Sequence, residues 1–420
     1  VNILFLTGNW GGPPNGIDRY IMETTRHLVH KGHTCHLFYS RLKGVWMDAN
    51  IPFSSSRHIE GLHQPSDKNN LQAAKILLQA VRELNPDVTF FHSISHHSAL
   101  ARLRLICPTI GFLHDYLPIC LKDTRRNYFS ARFCHAPLGL TCLLSGHFIR
   151  KPMAGHRLPR LADLSQAKKL VAVLRSMPDL LVASQAVKEA YLQNGFSAEQ
   201  VHVLPFFMDV PAADALVNHP RDKNVLFVGR LTDRYKGADF LLRAVKRCRE
   251  VFTVHIVGDG GYLPVVKTLA DRLGLKDRVR FHGWAGAEQV HAFYQQARTL
   301  VLPSVWPEPF GLVGLEALAN ATPVIAFDVG GVREWLQDGS HGYLVPYRDV
   351  KKLAEKIDQL IAQPDLAQTM GLNARLFVRD TFSSELYIER LLEQFVRCRQ
   401  KWITDFVKSK LTSSMNTKYL

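Results

Sequence analysis

Residues 304–316 read Ser304-Val305-Trp306-Pro307-Glu308-Pro309-Phe310-Gly311-Leu312-Val313-Gly314-Leu315-Glu316. The apolar run Thr299–Pro303 before them has strand character, and the stretch from Phe310 to Asn320 has helix character. A strand that ends in a tight loop and runs into a helix is the repeating unit of a parallel α/β sheet. Its helix start carries N–H groups with no intrahelical acceptor. The amides of Phe310, Gly311 and Leu312 stand there, ready for an anion. Gly311 lets the main chain approach a ligand with no Cβ in the way. Glu308 in the loop and Glu316, about a turn into the helix, can address two parts of one extended ligand. The plainer reading makes both of them surface carboxylates favoured near a helix N-terminus.

The same alternation extends in both directions. Downstream of a linker come strands at Val225–Val228, Thr253–Val257, Val279–His282 and Pro323–Ala326. Helices at Gly237–Glu250, Pro264–Leu273 and Glu288–Ala297 separate them. The first half repeats the pattern, with strands at Val1–Thr7, Thr34–Tyr39, Val88–His92, Thr109–His114, Leu180–Ser184 and His202–Pro205. Continuous apolar strands between helices argue for parallel sheets covered on both faces. Two Rossmann-like halves in tandem follow, each with its site beyond the strand C-terminal ends. The expected division is 1–208, a linker at 209–223, a second domain at 224–390, and a C-terminal helix and tail at 391–420, with the tail frayed from Lys408.

The chain has 420 residues, 46% hydrophobic and 21% charged, which is ordinary globular composition and enough for two or three cores. No apolar run is long enough for a spanning helix. The start, Val1 to Leu6, runs straight into a strand pattern, so a secretory signal is not expected. Seven cysteines, odd in number and sparse, point to reduced cytosolic thiols rather than a disulfide framework. The net charge is +15, and Ala101–Arg175 holds thirteen Lys and Arg against three acids. Such a block suits an anionic partner or is simply a solvated basic face. Cys120, Cys134 and Cys142, with His114 and His135, lack the paired spacing of a structural zinc site, so no metal is expected there. The chain also has no D-x-D to chelate a metal-bound sugar nucleotide.

Four further stretches complete the pattern. Val228-Gly229-Arg230-Leu231 followed by Lys236-Gly237 offers two cations for a diphosphate. Gly258-Asp259-Gly260 and Val279–Trp284 follow on successive strands, Gly11–Gly16 is a glycine-rich first loop, and His114-Asp115-Tyr116 ends a strand of the first half. Together with Glu308…Glu316 as E-x7-E, they resemble the retaining glycosyltransferases of family 4. That resemblance implies the GT-B fold: α/β, two Rossmann-like domains facing across a cleft, with C-terminal helices. It also implies a metal-independent, retaining transferase with no cofactor, using a GDP- or UDP-linked sugar as substrate. Arg230, Lys236 and the amides of Phe310, Gly311 and Leu312 would hold the diphosphate, with Gly12 and Gly16 in the loop over it. Glu316 would hold the ribose, Gly283 and Trp284 would flank the base, and Glu308 would hold the sugar hydroxyls. His114 and Asp115 join Glu308 as catalytic candidates, although a strand-end His is often only packed and Asp115 can cap a loop or pair with Arg125.

The expected acceptor is a glycan or a lipid-linked glycan, for a hexosyl unit in cell-surface polysaccharide or glycolipid synthesis. The protein is expected in the cytoplasm, and the basic block opens peripheral attachment to an anionic inner membrane surface. Nucleic acid is not an expected partner, because no interleaved aromatic platform accompanies the charge. An oxidoreductase is disfavoured, since Gly11–Gly16 reads G-G-P-P-N-G rather than G-x-G-x-x-G. The alternative is a non-catalytic GT-B scaffold or a sugar-nucleotide-binding protein.

Overall fold

The computed structural model describes residues 1–10, 16–42, 52–66, 71–122, 124–126, 133–144, 149–150, 160–211 and 221–416. The chain divides into two compact units, Val1–Leu204 with Glu385–Leu420, and Pro205–Ser384.

The first unit contains β1 (Asn2–Thr7), β2 (Thr34–Tyr39), β3 (Ser55–His58), β4 (Val88–His92), β5 (Thr109–Leu113), β6 (Ile149–Arg150), β7 (Arg160–Leu161), β8 (Leu180–Val182) and β9 (Val201–Val203). Seven of these form one sheet in the order β3-β2-β1-β4-β5-β8-β9, parallel throughout. The remaining pair, β6 and β7, is a short antiparallel ladder. Every residue of β4 and β5 is buried, as expected of a sheet covered on both faces. Edge strand β3 reads Ser-Ser-Arg-His and is exposed along its length, so no apolar signal marks it in the sequence. The order of strands reverses between β1 and β4, which opens a crevice at their C-terminal ends.

The last helix, Ser384–Asn416, contributes Glu385 onward to this unit. Fully buried Asp179 accepts hydrogen bonds from Lys401 Nζ at 2.6 Å and His202 Nε2 at 2.8 Å. Trp402 Nε1 donates to the Arg104 carbonyl at 2.8 Å. These contacts hold Lys401 and Trp402 of the helix against residues that precede β8 and β5, at the N-terminal ends of the strands. It continues past Lys408, where fraying was expected, to Asn416, and no Gly or Pro interrupts it.

The second unit has β10 (Asn224–Val228), β11 (Thr253–Val257), β12 (Val279–Gly283), β13 (Thr299–Leu302), β14 (Val324–Phe327) and β15 (Gly342–Val345). They form a parallel sheet in the order β12-β11-β10-β13-β14-β15. Here the order reverses between β10 and β13, whose following segments contain Arg230, Lys236 and the Ser304–Glu316 stretch. Buried Leu315, Ala317 and Leu318 seat the helix Leu312–Ala319 against the sheet. Among the described residues, no helix is long and apolar enough to cross a membrane.

Candidate functional site

In the second unit, the segment after β10 turns through a short 3-10 helix, Arg234–Lys236, into the helix Ala238–Val245. Gly237 joins them with φ +73°, and a Cβ there would sit 1.8 Å from the Pro303 carbonyl oxygen. The Val305 amide then donates to the Tyr235 carbonyl at 2.8 Å. These two close approaches lock the loop after β10 to the loop after β13. They bring Lys236 Nζ within 2.7 Å of Glu308 Oε1, across 72 residues of sequence. Ser304 Oγ donates to the same carboxylate oxygen at 2.5 Å. The Lys236 ammonium also lies 5.3 Å from the centre of the Trp306 ring.

Glu308 is 2% exposed, so its charge is removed from water and must be matched locally. Lys236 and Ser304 do this on the side-chain oxygen. The loop after β14 holds the main chain, with the Gly331 amide donating to the Glu308 carbonyl at 2.7 Å. At Gly330, φ is +54° and a Cβ would lie 2.2 Å from that carbonyl oxygen, so only glycine fits against it. Two residues on, Phe310 is buried, with its ring 5.3 Å from that of Phe206. Its carbonyl accepts a hydrogen bond from Trp335 Nε1 at 2.7 Å.

The helix starts at Leu312 rather than at Phe310, because Gly311 takes a left-handed conformation as its N-cap, φ +92°. Its first-turn amides are therefore those of Leu312, Val313 and Gly314, and Gly314 bonds back to the Gly311 carbonyl at 2.9 Å. Glu316 is part-exposed and accepts a hydrogen bond from the Tyr294 hydroxyl at 2.9 Å. Arg230 is exposed beyond the end of β10 and makes no ion pair among the described residues. Gly258 packs on Gly229, where a Cβ would meet the Gly229 oxygen at 1.9 Å, and its amide donates to the Gly283 carbonyl at 2.7 Å. At the end of β12, Gly283 has φ +68° with open space beside it, and Trp284 is 63% exposed.

In the first unit, β5 ends at Leu113 and His114 follows it. His114 Nε2 lies 2.9 Å from His92 Nδ1, at the end of β4. The His114 ring stacks on Phe112 with centroids 4.7 Å apart, and Tyr20 approaches it edge-on at 5.3 Å. The Tyr20 hydroxyl in turn meets that of Tyr387. Burial depresses the His114 imidazole to about 3 and holds His92 well below its ordinary range, so both rings are neutral at pH 7. Asp115 Oδ1 accepts from the Leu117 amide at 2.8 Å, which caps the turn that follows, and desolvation raises its carboxyl above the usual range. A cavity of about 40 Å³ opens beside these residues, lined by Ser93, Ser95, His114, Asp115 and apolar neighbours including Phe91 and Leu117. Ser93 sits in it with φ +51°, an uncommon conformation for a residue with a side chain.

Of the residues singled out from sequence, Lys236, Glu308, Gly311 and Leu312 come together at one strand-order reversal, and His114 and Asp115 lie near the other. Gly16 begins the helix Gly16–His30, whereas Gly12 lies outside the described residues. So do Arg132, Lys151 and Arg157 of the basic block. Arg125 is buried and bonds to the Cys134 carbonyl and Gln193 Oε1, not to Asp115. Cys120 and Cys142 are buried, and Cys134 is half-buried. No cluster of three or more His, Cys, Asp or Glu able to hold a metal occurs among the described residues. Sequence reading missed Ser304, Gly330, Tyr294 and Tyr387. Only the Gly330-Gly331 pair carried a signal of its own.

Two parallel sheets in tandem, each with its polar residues beyond the strand C-terminal ends, define a GT-B fold of the kind used by glycosyltransferases. Residues 213–377 match the family profile described as Glycosyl transferases group 1, and residues 14–210 match Glycosyltransferase Family 4. The chain belongs to this glycosyltransferase family. It is 32% identical over 164 residues to an uncharacterized glycosyltransferase of Methanocaldococcus jannaschii, covering 39% of the chain and 42% of that protein. It is 35% identical over 208 residues to a D-inositol 3-phosphate glycosyltransferase of Streptomyces griseus, covering 45% and 44%. The chain thus spans less than half the length of these curated relatives. Among solved structures, it resembles HepE of Anabaena in complex with UDP, with a TM-score of 0.71, 20% identity and coverage of 94% of this chain and 100% of that one. Sucrose-phosphate synthase of Thermosynechococcus elongatus gives a TM-score of 0.68 at 21% identity, with 94% and 99% covered.

Proposed function

We propose that the chain is a metal-independent, retaining glycosyltransferase that moves a hexosyl unit from a nucleoside-diphosphate sugar to a glycan or lipid-linked acceptor. The observation that carries this reading is the Lys236–Glu308 pair, its carboxylate buried, beside the start of the helix Leu312–Ala319. Lys236, Arg230 and the first-turn amides neutralise the departing diphosphate, which leaves no charge for a metal to cover. Glu308, paired with Lys236, accepts hydrogen bonds from sugar hydroxyls. Glu316 binds the ribose, and Gly283 and Trp284 border the base. UDP is the first nucleotide to test, because HepE was crystallised with it.

Retention follows from attack on the face that the leaving group occupies. The acceptor oxygen bonds to the anomeric carbon as the carbon–phosphate-oxygen bond breaks, and the acceptor proton passes to that phosphate oxygen. His114 and Asp115 also take catalytic roles in sugar transfer. The site works by positioning and charge stabilisation, so it needs no protein nucleophile.

The exposed Leu140 and Leu144, beside the basic stretch, suit peripheral contact with an anionic bilayer that carries the acceptor. Incubation with UDP-sugars and EDTA tests the main reading. Release of UDP with an α-configured product supports it, and activity that returns only with Mg²⁺ or Mn²⁺ overturns its metal-free part. Sedimentation with anionic but not neutral liposomes, weakening as salt rises, tests the membrane reading. Equal sedimentation with both, or with neither, defeats it.

A further inference from the structure

His92 closes β4 and is fully buried. In the sheet register it stands opposite Phe112, and His114 lies two residues further on the same strand path. The His92 ring is packed on all sides by Phe5, Phe90, Phe112 and Tyr20, with centroids 6.0, 4.3, 6.5 and 5.8 Å away. Its Nδ1 meets His114 Nε2 at 2.9 Å, and its Nε2 has no hydrogen-bond partner among the described residues. An apolar cage of this kind would hold phenylalanine with no unsatisfied nitrogen, so the imidazole is the costlier occupant. What it adds is the bond to His114.

We propose that His92 is a positioning residue: it fixes the ring orientation of His114 and decides which of that ring's nitrogens carries the proton. Two neutral imidazoles joined through Nδ1 and Nε2 share one N–H. A change of tautomer at His114 therefore requires a matching change at His92. The His114 ring cannot flip without breaking that bond and disturbing its stack on Phe112. Held in this way, His114 presents one fixed hydrogen-bonding pattern to a sugar, which is the condition for discriminating among hydroxyl geometries. This inference rests on the proposed action of His114 in sugar transfer.

The test compares His92→Phe, which keeps the ring and removes the nitrogens, with His92→Asn, which returns an amide near the place of Nδ1. His114→Ala runs alongside. His92→Phe is expected to lower turnover by about tenfold to a hundredfold, with UDP affinity and thermal midpoint near the parent's. His92→Asn should recover most of that loss. In protein labelled with ¹⁵N-histidine, the two ring-nitrogen shifts of His114 should change in His92→Phe and return toward the parent in His92→Asn. Unaltered His114 shifts in His92→Phe, or equal turnover in the two variants, would overturn the positioning role. Full turnover in His114→Ala would instead remove the sugar-transfer role of His114, while the nitrogen shifts still decide what His92 does.

Discussion

Where the strand order reverses in the second unit, the loops carry a lysine and a glutamate 2.7 Å apart. Where it reverses in the first, they carry two imidazoles 2.9 Å apart. Topology is the same at both places, because each is the gap left when successive strands depart to opposite sides of a parallel sheet. The chemistry differs in kind. Glycines with positive φ and direct backbone contact line the first of these crevices, together with a matched pair of charges. The other is an aromatic cage that keeps its histidines neutral. A charged lining suits a diphosphate, which arrives and leaves as an anion. A neutral lining suits hydroxyl groups, which need fixed donors and acceptors and would be repelled by nothing.

The contrast can be broken at the carboxylate. Glu308→Gln keeps the shape and removes the charge that balances Lys236, and turnover should fall by about a hundredfold to a thousandfold. Nucleotide affinity should change little, because the freed ammonium still faces the phosphates. Saturation kinetics with a titration of nucleotide separate the two, and an equal loss in both would merge the roles assigned to Glu308 and Lys236.

A backbone change comes next in size. Gly237→Ala places a Cβ against the Pro303 oxygen in a left-handed conformation and should cost about 2 kcal/mol of stability or more. Denaturant unfolding measures this. The loss should be confined to the second unit, visible as faster hydrogen exchange in the loop 303–311.

Acid sharpens the comparison from the other side. The folded His114 imidazole titrates near 3, whereas the unfolded one takes up its proton near 6.5. Between these values the unfolded state binds more protons, so stability falls as pH drops through that window and is intact above it. His92, also held low, adds to the same slope. Urea midpoints recorded from pH 7 down to pH 4 should decline, and His114→Asn should flatten the decline. A profile unchanged by that substitution would place the acid sensitivity elsewhere, at His33 or His341 for instance.

Much of the second sheet was legible because its strands are short apolar runs between amphipathic helices. Lys236 and Gly311 stood out because their residue types fit a phosphate-handling loop, and Glu308 because of its spacing from Glu316. The partners were not legible. Tyr294 reaches Glu316 across 22 residues, and Lys236 reaches Glu308 across 72, and nothing local to either residue encodes the pairing. The helix start moved by two residues because Gly311 adopts a conformation that propensity does not reveal. Strand β3 was invisible because Ser55–His58 is an exposed polar edge with no apolar residue to mark it. The contact between His92 and His114, 22 residues apart, follows from the pairing of β4 with β5 and not from local sequence.

The central claim is a division of labour, with the nucleotide held by the charged crevice and not by the neutral one. Calorimetric titration of UDP into the parent protein, Lys236→Ala and His114→Ala tests it directly. Lys236→Ala should lose about 2–4 kcal/mol of binding free energy, the scale for removing one partner of a desolvated charge pair. His114→Ala should bind UDP as the parent does. Undiminished binding in Lys236→Ala, or an equal loss in His114→Ala, would contradict the division.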